Sequence, residues 1–181
     1  MSYDIRTFGD PVLKTCAAEI TNIDAKLVKL ADEMLAVMYD APGLGLAAPQ
    51  IGVQKQLFVY DVDDSPQVLI NPKIVESSGE WVYDEGCLSI PGLYVEMLRP
   101  KLVLVEATNL EGNTIQIEAD ELLARLFQHE IDHLNGKVFV DYLSRLKQGR
   151  IKTKMIKAKE SGAFELDGEF ARRHDRAAEK I

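Results

Sequence analysis

The sequence predicts an α+β fold with a largely antiparallel sheet and a C-terminal helix. Three observations carry this reading. The predicted elements run helix, several strands, helix, helix, without the regular alternation of a doubly wound sheet. Two strand-like segments, 101–108 and 114–119, flank Asn109-Leu110-Glu111-Gly112-Asn113, a hairpin signal. The chain has 181 residues, 46% apolar and 28% charged, which is ordinary for one globular domain with a real core.

The first helix is predicted at 25–39. Asp24 suits its N-cap, and Leu27, Ala31, Met34, Leu35 and Met38 recur at helical spacing. Residues 41–50 carry two prolines and two glycines and are expected to be a loop. Strand-like pieces follow at 56–62, 67–70 and 74–77, and then Trp81-Val82-Tyr83-Asp84-Glu85-Gly86-Cys87-Leu88-Ser89-Ile90-Pro91-Gly92. A second helix fits 120–134, with Asp120 near its start and Gly136 as its C′ residue. A third, basic helix is expected to begin after Asp141 and to run toward Lys159. Residues 1–160 are thus read as a single domain ending in a basic helix, and 161–181 as a charged, loosely held extension.

Composition excludes several classes. No apolar run approaches the roughly 18–20 residues that span a bilayer, so no membrane contact is expected. The N-terminal residues show no basic-then-apolar leader, and a cytoplasmic location is the expectation. The two cysteines, Cys16 and Cys87, are not expected to pair in a reduced compartment; Cys16 is read as structural. The net charge of −8 disfavours a nucleic-acid binder for the chain as a whole. It is unevenly spread. Residues 1–146 hold 11 basic and 23 acidic side chains, and residues 147–181 hold 10 and 6.

The chemistry concentrates in His129-Glu130-Ile131-Asp132-His133. Histidines at i and i+4 lie one helical turn apart, so both rings can reach one ion. At about 100° per residue, Leu122, Leu126, His129 and His133 fall within roughly 60° of one another. Glu130 sits beside the histidines, where a carboxylate handles protons without ligating the metal. A helix with two merely packed histidines is the plain alternative. A third ligand is needed. The extended zincin pattern wants a histidine at 139, which is Phe139, and the remaining histidine is His174. Downstream acids such as Asp141 keep a metallopeptidase open. Cys87 is the better candidate, because a thiolate with two histidines leaves one tetrahedral position for water or substrate. The glycine segment before Gln50 lets another chain approach the backbone closely, and the Gln50 amide can donate to an oxyanion.

Three segments in this order, Gly43-Leu44-Gly45-Leu46-Ala47-Ala48-Pro49-Gln50, Glu85-Gly86-Cys87-Leu88-Ser89 and Gln128-His129-Glu130-Ile131-Asp132-His133, resemble the three signature motifs of the peptide deformylase family. The end of the first helix, Met34–Tyr39, and the segment Phe139–Ser144 resemble it too, and the likeness covers about residues 3–155. It implies a mixed, mostly antiparallel sheet packed around a central metal-binding helix. It also implies removal of the N-formyl group from the initiator methionine of new polypeptides, with release of formate. Cys87, His129 and His133 would ligate one divalent ion, ferrous iron natively, with zinc, nickel or cobalt able to replace it in a purified sample. Metal-bound hydroxide would attack the formyl carbon with Glu130 as proton carrier. Gln50 and the Leu88 N–H would stabilise the oxyanion. Leu44 and Gly45 would line the substrate cleft, and Leu122 and Leu126 would wall a methionine pocket. Arg125, one turn before His129, is expected to snorkel to the pocket rim; some relatives carry an apolar residue there. Tyr94 stands where a basic residue can occur in relatives. The partners implied are formyl-methionyl nascent peptides and, through the basic helix at 145–159, weak contact with ribosomal RNA; a monomer is expected.

Overall fold

A computed structural model describes residues 3–161. The 162–181 segment of the expected extension lies outside the described residues. Helix α1 spans Ala25–Asp40, one residue longer than expected, and the Asp24 carboxylate caps it by accepting from Leu27 N. Strands β1 (Gly45–Ala47), β2 (Leu57–Tyr60), β3 (Gln67–Ser78), β6 (Leu102–Thr108) and β7 (Thr114–Asp120) form one sheet in the order β1-β2-β3-β6-β7. Strands β4 (Trp81–Cys87) and β5 (Ile90–Arg99) form a separate hairpin. Every one of these pairs is antiparallel. A parallel component appears as a single bridge between Ala18 and Lys55.

Alternation along β2 explains the layering. Leu57 and Val59 pack with α1, while Phe58 and Tyr60 pack on the opposite face with helix α2, Glu121–Leu134. All four β2 side chains are buried, which is why that segment is continuously apolar. Helix α2 therefore lies on one face of the sheet and α1 on the other. Asp120 occupies the N-cap position of α2 without a side-chain capping bond. Gly136, at φ 73°, is the expected left-handed C′ residue. A 3-10 turn at Phe139–Tyr142 precedes helix α3, Arg145–Glu160, whose Ile151 and Met155 pack under the hairpin beside Cys87, Ile90 and Met97.

Two expectations are corrected. The glycine segment is not all loop. Residues 45–47 pair with β2, and a 3-10 turn at Ala48–Ile51 buries Gln50. The segments 67–70 and 74–77 are one strand, with register shifts on either side of Lys73–Ile74. Asn71 and Pro72 sit at the first shift, where Pro72 owes no ladder bond. Asn71 is held at φ 49° by two bonds between its side-chain amide and Ile20, Ile20 N to Oδ1 at 2.9 Å and Nδ2 to Ile20 O at 2.8 Å.

Candidate metal centre

Three elements meet at the site. Helix α2 presents His129 and His133 on one face, the end of β4 presents Cys87, and the turn after β1 presents Gln50. All four are buried. One ligand atom each from Cys87, His129 and His133 lie within 4.8 Å of one another. The two Nε2 atoms are 3.1 Å apart, and Cys87 Sγ is 3.3 Å from His133 Nε2. This is a borderline-soft donor set of the kind that holds zinc or ferrous iron.

Glu85 prepares the histidine. Its Oε1 lies 2.6 Å from His129 Nδ1, which puts the proton on that nitrogen and leaves Nε2 with its lone pair toward the cluster. Arg99 donates to both Glu85 oxygens, at 2.8 and 2.7 Å, and to Asp132 at 3.0 Å. Burial opposes the Glu85 charge, but hydrogen bonds from His129 and Arg99 outweigh it and hold its pKa well below the usual carboxylate range. Burial also opposes charge on His129, yet Cys87 and Glu85 beside it keep its pKa well above normal. Burial and the neighbouring His129 push His133 well below normal. Two facing Nε2 atoms 3.1 Å apart cannot both carry a proton, and one cation shared among three ligands resolves that conflict. His133 Nδ1 and Glu130 Oε2 are buried without a partner among the described residues. The residues present therefore fit a divalent metal.

Glu130 and Gln50 both line a cavity beside the cluster. Burial pushes the Glu130 carboxyl pKa up to about 7. Gln50 is oriented at both ends: Ala47 N donates to Oε1 at 2.9 Å, so Nε2 faces Ser89 Oγ at 3.1 Å and Cys87 Sγ at 3.6 Å. Gly45 has no room for a Cβ, which would meet Glu130 Oε1 at 2.9 Å. Leu88 is buried, and its side chain fills the space beside Gly43. That cavity, of about 110 Å³, is lined among others by Leu44, Gly45, Leu122 and Leu126. The residues given roles in metal binding, catalysis or substrate contact, namely Leu44, Gly45, Gln50, Cys87, Leu88, Leu122, Leu126, His129, Glu130 and His133, thus lie at one place.

The matched region of the polypeptide deformylase family profile is residues 2–149 of this chain. The chain belongs to the peptide deformylase family. A peptide deformylase of Rhizobium meliloti is 52% identical over 155 residues, covering 82% of this chain and 89% of that protein. One from Clostridium botulinum is 50% identical over 138 residues, covering 76% and 94%. The crystal structure of a peptide deformylase from Legionella pneumophila superposes with a TM-score of 0.85 at 42% identity, covering 90% of this chain and 98% of that one. A peptide deformylase from Ehrlichia chaffeensis in complex with actinonin gives a TM-score of 0.83 at 41% identity, covering 88% and 99%. This deformylase is a metal-dependent hydrolase that removes the N-formyl group from the initiator methionine of nascent polypeptides, with release of formate.

One expectation fails at the site's edge. Arg125 does not reach the rim. It is 3% exposed and turns inward, donating to Glu85 Oε2 at 2.9 Å and to the carbonyls of Trp81 and Met97 at 2.6 and 2.9 Å. Interior acceptors outcompete water for a guanidinium already in a fork geometry. Cys16 takes no part in the metal cluster and is exposed. The part played by Glu85 and Arg99 went unread in the sequence. One signal was available for Glu85: it stands two residues before Cys87, and strand alternation puts both on one face. No helix among the described residues is long and apolar enough to cross a membrane.

Proposed function

We propose that Cys87, His129 and His133 hold a ferrous ion, which zinc, nickel or cobalt can replace in a purified sample, and that Glu130 carries the proton. The observation behind this reading is the convergence of three ligand atoms beside Glu130, whose buried Oε2 has no partner among the described residues. The bound ion supplies Lewis-acid polarisation and lowers the pKa of a water toward neutrality. Glu130, buried beside the ligands, accepts a proton from the attacking water and returns it later in the reaction. Water adds to the formyl carbon. Gln50 Nε2 and the Leu88 N–H donate to the carbonyl oxygen as it gains charge, and each such donor is worth about 3–4 kcal/mol. The C–N bond then breaks, and Glu130 delivers its proton to the leaving nitrogen, giving formate and a free amine. Leu44 and Gly45 line the cleft for the peptide backbone, while Leu122 and Leu126 wall the methionine side chain. Residues 1–160 act as a single catalytic domain, and the chain works as a monomer in the cytoplasm, where newly started polypeptides and reduced thiols are found.

Anaerobic loading with ferrous iron, followed by formate assay on a formyl-methionyl peptide and on its unformylated counterpart, tests the reading. Formate release from the first and no cleavage of the second is expected. Glu130→Gln should retain the metal by elemental analysis and lose about 10²–10⁴ in turnover. Wild-type turnover in that variant, or peptide-bond cleavage by the parent, overturns the assignment.

A further inference from the structure

The two proposed oxyanion donors sit on different sheets. Gln50 belongs to the turn that follows β1, in the five-stranded sheet, and Leu88 follows β4, in the separate hairpin. No strand ladder joins those two sheets among the described residues, so strand pairing does not set the spacing of Gln50 from Leu88. A side-chain link runs from Gln50 Nε2 to Ser89 Oγ at 3.1 Å, through the same amide that has to serve the substrate. The N-terminal segment supplies a second link, made of backbone alone. Arg6 N donates to Gln50 O at 2.6 Å, and two residues on, Phe8 N donates to Ser89 O at 2.8 Å. The side chains of this segment anchor it on both sides of the gap. Ile5 packs against the cluster that holds Ala48, Ile51 and Leu88, and Phe8 against the one that holds Cys87 and Ile90.

We propose that residues 6–8 are a positioning segment for deformylation: their two N–H groups tie the Gln50 turn to the turn at 88–89 and so set the separation of Gln50 Nε2 from the Leu88 N–H. This rests on the reading that those two groups stabilise the oxyanion. A donor removed outright costs about 10²–10³ in rate, and a catalytic group misplaced by about 1 Å costs about 10². Losing one tie loosens a donor without removing it, so a loss of about tenfold is expected. The loss belongs to kcat, because the oxyanion is met only in the transition state.

The test removes one tie and keeps every side chain. Phe8→phenyllactate replaces a single backbone N–H by an ester oxygen. In the ferrous holoenzyme acting on a formyl-methionyl tripeptide, kcat should fall about tenfold with KM and iron content unchanged. Repeated in Gln50→Ala, where one positioned donor is already gone, the same ester should cost less than about threefold. A general loosening of the fold would cost the same in both backgrounds, and that result refutes the proposal, as does an ester that costs nothing in the parent. If Gln50→Ala by itself leaves kcat unchanged, the failure lies in the oxyanion reading beneath the proposal. The unmodified, zinc-loaded protein gives a check that needs no variant. Amide hydrogen exchange at Arg6 and Phe8 should be slower than in an unstructured peptide by about 10²-fold or more. Exchange at unstructured rates at both positions refutes the tie.

Discussion

Gly45 shows how one residue serves two neighbours. It lines the cavity, and it also leaves the volume that the Glu130 carboxylate occupies. Gly45→Ala places a methyl carbon 2.9 Å from Glu130 Oε1, so the carboxylate has to shift to admit it. We expect turnover to fall by about 10²-fold with metal content unchanged, since a shift of about 1 Å at a catalytic group costs that much. Loss of metal in step with activity would contradict this account. Tyr142 lies at the outer end of the ion-pair network. Its hydroxyl donates to Asp132 Oδ1 at 2.9 Å, and Arg99 lies over its ring at 5.3 Å. Burial, then the Asp132 charge, raises its pKa from 10.0 to about 12. The unfolded phenol ionises first, so the stability it contributes is full below about pH 10 and lost as the pH rises through 12. Denaturation of Tyr142→Phe should accordingly show a shallower decline over that window than the parent. Parallel curves would remove Tyr142 from the explanation.

Among the elements, α2 and the β4–β5 hairpin decide the site. The helix was legible because its two histidines and its apolar stripe share one period, and its C-terminal stop was written in Gly136. A Cβ there would meet Lys14 O at 2.8 Å in a backbone conformation that disfavours side chains. Gly136→Ala should destabilise the fold by about 1–2 kcal/mol or more, read as a lower midpoint in urea with unchanged slope. A neutral result would mean that the α2 end relaxes freely. The hairpin was less legible. Its strand β4 alternates inward Trp81, Tyr83, Glu85 and Cys87 with outward Val82 and Asp84, but the inward set mixes aromatic, acidic and thiol groups. Such a set looks polar and exposed until its partners, Arg99 and Arg125, arrive from other elements.

At the scale of the molecule, charge divides between an acidic body and a basic helix. All seven basic residues of α3 are exposed, while Ile151 and Met155 on the same helix anchor it under the hairpin. We propose that this face makes weak contact with ribosomal RNA, where its substrates emerge. Contact through several lysines should weaken steeply with salt. Co-sedimentation with ribosomes at low salt should be lost when Lys152, Lys154, Lys157 and Lys159 are neutralised; persistence would refute the contact. The sequence by itself determined the α+β class, the helical histidine pair, the cysteine and glutamine segments and the helix stops, because each depends on local period, local turn chemistry or a contiguous motif. Only the tertiary structure decided that Glu85 is gripped by two arginines, that Arg125 points inward, that Cys16 is exposed and that Gly45 makes room for Glu130. Those outcomes depend on which distant side chain completes a hydrogen bond or occupies a volume, and neither is encoded in spacing along one chain segment.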